Sequence, residues 1–343
     1  MIISGNRETT PTVTVVIAAY NASRYIAQTL DSVQAQTFTD YEVIVVNDGS
    51  NDREELERIL HSHPLPVIYL SQENRGVSAA RNAAIKIGRG EFYTQLDSDD
   101  QWTTDYLEVQ LGILKENPDV ALVYPNATII GDEAKDDVEF MKMSPSEGEV
   151  TFASLLQQKC IVMTSVTARM NVIREAGMFD ESIRSCEDFD LWVRIVKNGG
   201  RIVYHRRPLV LYRRHEGSLS SDRVWMTRHL LAVYEKSASA FNLTPEEREI
   251  LNEQITSTRA RLRLFEGKRA LTAGGAHAAL VHFEEANEHL RSPKLSLVIV
   301  LLRHLPRLVI WVFTERERFL ARQPNHQLAG IDQPREAKSC DSI

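Results

Sequence analysis

The chain has 343 residues, 43% apolar and 25% charged, ordinary for a globular protein and enough for one large domain with a smaller one. A formal net charge of −7 argues against nucleic acid as a partner. The three cysteines, Cys160, Cys186 and Cys340, are odd in number and far apart, which argues against a disulfide framework or zinc knuckle; with no long apolar core in the N-terminal MIISGNRETTPT, the expectation is a reducing, cytosolic setting.

The first half alternates apolar runs with helical patterns. Val13 to Ala19 reads as a buried parallel strand, and Ser23 as the cap of a helix with Ile26, Leu30 and Val33 on one face. Strands follow at Glu42 to Val46, Val67 to Leu70 and Phe92 to Leu96, with a helix over Val77 to Ile87. Thr104 to Glu116 is helical, stopped by Asn117-Pro118, and Val120 to Tyr124 is strand-like. Residues 131–150 are acidic and aperiodic and read as a surface loop. Glu187 to Lys197 is a helix stopped by Asn198-Gly199-Gly200, followed by short strands at Arg201 to Tyr204 and Leu209 to Arg213. The alternation predicts an α/β domain with a mainly parallel, Rossmann-like sheet flanked by helices over residues 1–221.

After residue 222 the pattern is helical. Thr244, Pro245 and Glu246-Glu247 form a helix start, and Arg259 to Leu290 resembles one tetratricopeptide-type hairpin, with Ala270, Ala278, Phe283 and Ala286 at packing positions, in a helical domain over 222–291. Residues 292–322 hold the most apolar stretch, 295–313, cut by Arg303, His304, Pro306 and Arg307, so no uncharged membrane span exists there. Arg303, Arg307, Thr314, Arg318 and Arg322 fall on one helical face. Two readings stand: an amphipathic helix pair lying at the cytoplasmic face of a membrane through 295–322, or helices packed on the protein's own core. The tail, 323–343, is polar and expected to be disordered.

Three predicted strands end in polar groups that should open on one crevice: Ala19-Tyr20-Asn21, Asn47-Asp48-Gly49-Ser50 and Asp97-Ser98-Asp99-Asp100. Three acids in four residues repel one another; directly after an apolar strand they suit a divalent cation such as Mg²⁺ or Mn²⁺. No G-x-G-x-x-G follows the first strand, which counts against a dinucleotide oxidoreductase.

The stretches VVIAAYNAS (15–23), VIVVNDGS (43–50), NRGVSAARNAAI (74–85), YTQLDSDD (93–100), GMFDESIRSCEDFDLWVRI (177–195) and LYRRHEGSLS (211–220) occur in the order and at the spacing of one family. The chain resembles the family 2 glycosyltransferases, with their GT-A catalytic fold, over about residues 11–220. The resemblance implies an inverting transfer of one sugar from a nucleoside diphosphate-sugar, usually a UDP-sugar, to a hydroxyl of a glycan or lipid-linked glycan acceptor. It places Ala19, Tyr20, Asn21, Asp48, Asp97 and Ser98 on the donor, with Tyr20 against the base, Asp48 accepting from it and Asp97 at the ribose. Asp99, with Asp97, would hold the cation; His215 is either a further metal ligand or a surface residue. Asp100 would assist.

Arg75 and Arg81 flank a helix start and suit a diphosphate, Arg75 having a solvated alternative. Asp188 would be the general base, since a sugar transfer with inversion needs one carboxylate to take the acceptor's proton; Glu187 would support it or touch the donor sugar. The pair reads alternatively as helix-start acids stabilised by the helix dipole. Trp192, one turn after Asp188, is either an acceptor platform or core. The rival readings are a nucleotidyltransferase, which would need a glycine-rich, lysine-bearing loop near the N-terminus, and an inactive nucleotide-sugar-binding scaffold.

Overall fold

A computed structural model describes residues 10–131, 138–215 and 222–321. Four strands form a parallel block: β1 (Val13–Ala19), β2 (Tyr41–Asp48), β3 (Ile68–Gln72) and β4 (Phe92–Gln95), joined by helices α1 (Ile26–Gln34), α2 (Arg53–Ser62) and α3 (Val77–Ile87). Their runs of Val and Ile are buried because helices cover the sheet, as parallel strands require. The residue before α3, Gly76, has φ +92°, and a Cβ there would lie 2.9 Å from Arg184 Nη1. One expectation fails here. Ser23 does not cap α1, whose N-cap is Tyr25; its amide instead donates to Asp52 Oδ2 at 2.8 Å, tying the turn after β1 to the start of α2.

The next elements are β5 (Gln101–Trp102), α4 (Tyr106–Glu116), β6 (Val120–Ile130), β7 (Val138–Glu139), α5 (Phe140–Met143), α6 (Phe152–Leu156), β8 (Thr167–Arg169), α7 (Met170–Glu175), α8 (Glu187–Lys197) and β9 (Arg201–Arg213). The sheet runs β3-β2-β1-β4-β8-β6-β9-β5, with β7 on β6. β8 is antiparallel to both β4 and β6, and β5 to β9, while β6 and β9 are parallel. The sheet is therefore mixed; its parallel character holds for the β3-β2-β1-β4 block and the β6–β9 pair. The two short strands expected after Gly200 are one strand, β9, which keeps its pairing past Arg206-Arg207-Pro208 through register shifts against β6. The stretch 131–150 is not all loop either: β7 and α5 lie in it, and Ser144 and Ser146 are fully buried, while 132–137 fall outside the described residues.

The helical region comprises α9 (Arg223–Ala240), α10 (Pro245–Thr272), α11 (Ala276–Leu290), α12 (Pro293–His304) and α13 (Pro306–Ala321). Thr244 and Glu247 form a capping box at the start of α10, with Pro245 as its first residue. α10 and α11 pack against each other, the first helix starting at Pro245 rather than Arg259, and Gly267 permits the close approach: a Cβ there would lie 2.5 Å from the Phe283 ring.

The change at residue 222 is a change of secondary structure rather than of core. Tyr234, Leu243 and Leu251 belong to the sheet domain's cluster, the Tyr234 hydroxyl donates to Leu156 O at 2.8 Å, and Lys236 Nζ donates to Asp180 and Asp190, each at 2.7 Å. A second core joins Leu271, Phe283, Leu295, Ile299 and Leu302 across α10, α11 and α12. Pro306 divides α12 from α13, so Arg303 and Arg307 lie on separate helices, and Arg303 pairs with Glu284 at 2.5 Å. The single arginine face is thereby broken; Arg322 and the side chain of Arg318 lie outside the described residues.

Candidate active site

The carboxyl ends of β1, β2 and β4 open on one side of the sheet, and α3, α8 and the end of β9 bring side chains to the same crevice. Tyr20, just past β1, is 51% exposed, with its ring available at the rim. Ala19 is buried beneath it. Asn21 sits at φ +51°, in the left-handed region that Asn tolerates; its amide donates to Ser50 Oγ and its Oδ1 accepts from the Asn51 amide, joining the first two strand ends.

Asp48 is engaged by the chain itself. Its Oδ1 accepts from Gln72 Nε2 (2.7 Å) and the Arg75 amide (2.8 Å), and its Oδ2 from the Gly76 amide (2.8 Å). It thus fixes the loop leading into α3, and any contact with a base is added to three bonds already made. Arg75 is at the rim, its side chain 62% exposed and paired with Glu181 at 2.6 Å.

The turn 97–100 is held from two sides. Thr29 Oγ1 of α1 donates to Ser98 O (3.0 Å) and Asp100 O (2.8 Å). Arg213, at the end of β9, donates from its amide to Asp100 Oδ1 and from Nε to Asp99 O, both at 2.8 Å. Neither residue stands out in the sequence as part of the site; Arg213 lies within LYRRHEGSLS, while Thr29 carries no local signal. Asp99 Oδ2 is 2.9 Å from His215 Nε2. Burial and the adjacent Asp97 charge raise Asp99, against the pull of His215. Asp100 is buried and pushed well above the carboxylate range by burial and by both neighbouring aspartates. Among the described residues no group of three or more His, Cys, Asp or Glu side chains converges as a ready metal cage. Asp99 and His215 form a two-residue set, which suits a cation that keeps water and takes its remaining ligands from a substrate's phosphates.

Arg81 corrects the sequence reading. Only 3% exposed, it is committed to two carboxylates rather than aimed at a diphosphate: Nη1 donates to Glu187 Oε1 (2.7 Å) and Nη2 to Asp97 Oδ1 (2.9 Å). Burial alone would lower its pKa, but Asp97, Glu187 and Asp188 together hold it well above the usual value. One guanidinium thus bridges the acidic turn after β4 and the first turn of α8.

Asp188, in that same first turn, is half-buried. Burial and the Glu187 charge, with a further push from Asp97, raise it to about 7 against the pull of Arg81. A half-buried carboxylate raised toward neutrality beside a fixed ion-pair network is equipped to accept a proton from a bound hydroxyl. Trp192 is no platform: it is 1% exposed, with its ring edge-on to Phe179 at 6.4 Å, because α8 turns Leu191, Trp192 and Ile195 into the core.

Residues 14–175 match Glycosyl transferase family 2. The chain is 30% identical over 245 residues to an uncharacterized glycosyltransferase of Rickettsia typhi, covering 69% of this chain and 74% of the relative. In fold it is similar to residues 1–349 of TarS from S. aureus, crystallised with UDP-GlcNAc (TM-score 0.57, 17% identity, 90% of this chain and 92% of that one). It is likewise similar to the mannosyltransferase PcManGT of Pyrobaculum calidifontis, in complex with GDP-Man and Mn²⁺ (TM-score 0.58, 19% identity, 91% and 89%). With this ancestry and a mixed sheet whose strand ends carry the acidic turn, the chain belongs to the family 2 glycosyltransferases, enzymes that draw on a nucleotide-sugar donor.

Proposed function

We propose that the chain transfers a sugar, with inversion, from a UDP-sugar to a hydroxyl of a glycan or lipid-linked glycan, with Mg²⁺ or Mn²⁺ as cofactor and Asp188 as general base. The observation that carries this reading is the Arg81 bridge, which ties Asp97 on the donor side to Glu187 and so holds Asp188 at a fixed distance from the donor turn. Tyr20 offers an exposed ring to the base, and the exposed Arg75 lies at the crevice rim, within reach of a diphosphate. Asp99 and His215 would hold the cation, which when bound neutralises charge on the departing nucleoside diphosphate. The bond from the anomeric carbon to the diphosphate oxygen breaks as the acceptor oxygen attacks from the opposite face. Asp188 takes the acceptor's proton, and Glu187, held by Arg81, keeps its own carboxylate clear of the attacking oxygen. A second carboxylate acid is unnecessary because the leaving diphosphate needs no proton.

The test is Asp188→Asn, which keeps size and helix-start geometry but removes the proton acceptor. Turnover, followed as nucleoside diphosphate release, should fall by about 10²–10⁴-fold. Nucleoside diphosphate affinity, read by calorimetry, should stay near wild type. Undiminished turnover in the folded variant would remove Asp188 from the mechanism.

A further inference from the structure

α12 and α13 both lay an inner face on the α10–α11 hairpin: Leu295, Ile299 and Leu302 from one helix, Val309, Ile310 and Phe313 from the other. A globular helix would turn polar residues outward from such a face. These two do not. On α12, Leu297 and Val300 are 60% and 50% exposed; on α13, Leu308, Trp311 and Val312 are 48%, 61% and 51% exposed. Leu308, Trp311 and Val312 recur at the i, i+3, i+4 spacing of one stripe, opposite Val309, Ile310 and Phe313. Both helices are therefore apolar on two sides, one of them already satisfied.

The charge around these faces selects the occupant. Residues 292–322 carry six Lys and Arg against two Glu, a net of +4 within a chain whose formal net is −7. In the sequence Lys294 flanks the Leu297–Val300 face, and Arg307 and Arg316 flank the Leu308–Trp311–Val312 stripe, the positions from which long cationic side chains reach headgroups while apolar residues sit below them; Arg303, on the same stretch, is paired with Glu284. Trp is the residue that favours the boundary between headgroups and acyl chains. Among the described residues no helix is long and apolar enough to cross a membrane, and Pro306 divides the pair into helices of 12 and 16 residues. We propose that the outer faces of α12 and α13 form a docking surface that lies in the interface of an anionic lipid membrane. A second copy of the chain would bury the same apolar atoms but would bring a second net of +4 against the first, whereas anionic headgroups neutralise it.

The experiment uses the full chain with phosphatidylglycerol-containing vesicles, with pure phosphatidylcholine vesicles as control, and reads co-sedimentation together with quenching of tryptophan fluorescence by brominated lipid. The wild type should bind the anionic vesicles and release at high salt. Leu308→Ser combined with Trp311→Ser, both exposed positions, should weaken binding by about tenfold or more. Arg307→Glu should do so to a similar degree, since it reverses a charge at the level of the anionic headgroups. Both variants should keep the wild-type melting temperature and donor-hydrolysis rate, so the result stands apart from the assignment of the catalytic base. Vesicle binding that is absent, that ignores lipid charge, or that survives both variants overturns the proposal. A dimer in solution that the Leu308→Ser/Trp311→Ser variant dissociates also overturns it and assigns the face to a second copy.

Discussion

The crevice at the strand ends and the outer side of α12 and α13 invert the ordinary preference of their surroundings in opposite senses. In the crevice charge is buried, with Arg81 at 3% and Glu187 at 7% exposure; on the helix pair apolar surface is bare, with Leu297 and Trp311 at about 60%. The first inversion is stabilised from within, because Arg81 meets Glu187 and Asp97 at 2.7 and 2.9 Å. Its geometry is set before any ligand arrives, which is the condition for preorganised catalysis. The second has no covering group among the described residues and is relieved from outside. Buried charge therefore marks where the molecule fixes its own chemistry, and exposed apolar surface marks where it meets something else.

Arg81→Met is the strongest way to break this contrast. It leaves Asp97 and Glu187 without their shared cation, and urea titration should show a loss of about 3–5 kcal/mol. A loss below about 1 kcal/mol would mean the two carboxylates need no internal partner. Next in size is a paired comparison on the helices. Leu302→Ala, inside the second core, should cost about 2–4 kcal/mol, whereas Leu308→Ala on the outer face should stay within about 0.5 kcal/mol. Equal costs would show the outer face to be covered within the chain.

The smallest effect concerns Asp188. Its carboxyl is raised from 3.8 to about 7, so the folded protein binds that proton more tightly than the unfolded chain does. The corresponding stability is complete below about pH 4 and is lost as pH rises through about 7. Asp188→Asn escapes that loss and should exceed wild type by about 1–2 kcal/mol near pH 8, the gap closing near pH 4. A gap that does not change with pH would separate Asp188 from the buried network.

Legibility in the sequence followed distance along the chain. α3 and α8 match their expected bounds of 77–87 and 187–197 because Gly76 and Asn198-Gly199-Gly200 punctuate them locally. β9 reads in the sequence as two short strands, and its continuity depends on β6, a partner 80 to 83 residues earlier in register. In the site, the acidic turn and the Glu187-Asp188 pair are local patterns. The fate of Arg81 is not: its partners lie 16 and 106 positions away, and nothing in NRGVSAARNAAI distinguishes an arginine turned inward from one turned to a ligand. Trp192 stays open between platform and core in the sequence for a related reason, and the structure places it in the core. Spacing along a helix says which residues share a face, but not what that face meets.

Lys236 bears on how such enzymes can be recombined. From α9 it reaches back to Asp180 and Asp190, one aspartate in the loop before α8 and the other on that helix, three positions from Glu187. The helices after residue 222 are thus no detachable cargo. A chimera that grafts a relative's C-terminal helices onto this sheet removes the lysine that faces these two acids, one of them buried and left with Arg194 alone. Unless the donor supplies a cation at that point, the graft disturbs the ground on which Asp188 stands. Exchange between family members is therefore expected to succeed at seams placed beyond Leu251 of α10, since Leu251 lies in the sheet domain's core and Glu247 pairs with Lys197 of α8, and any swap has to carry the 180–190 loop, α9 and the start of α10 together.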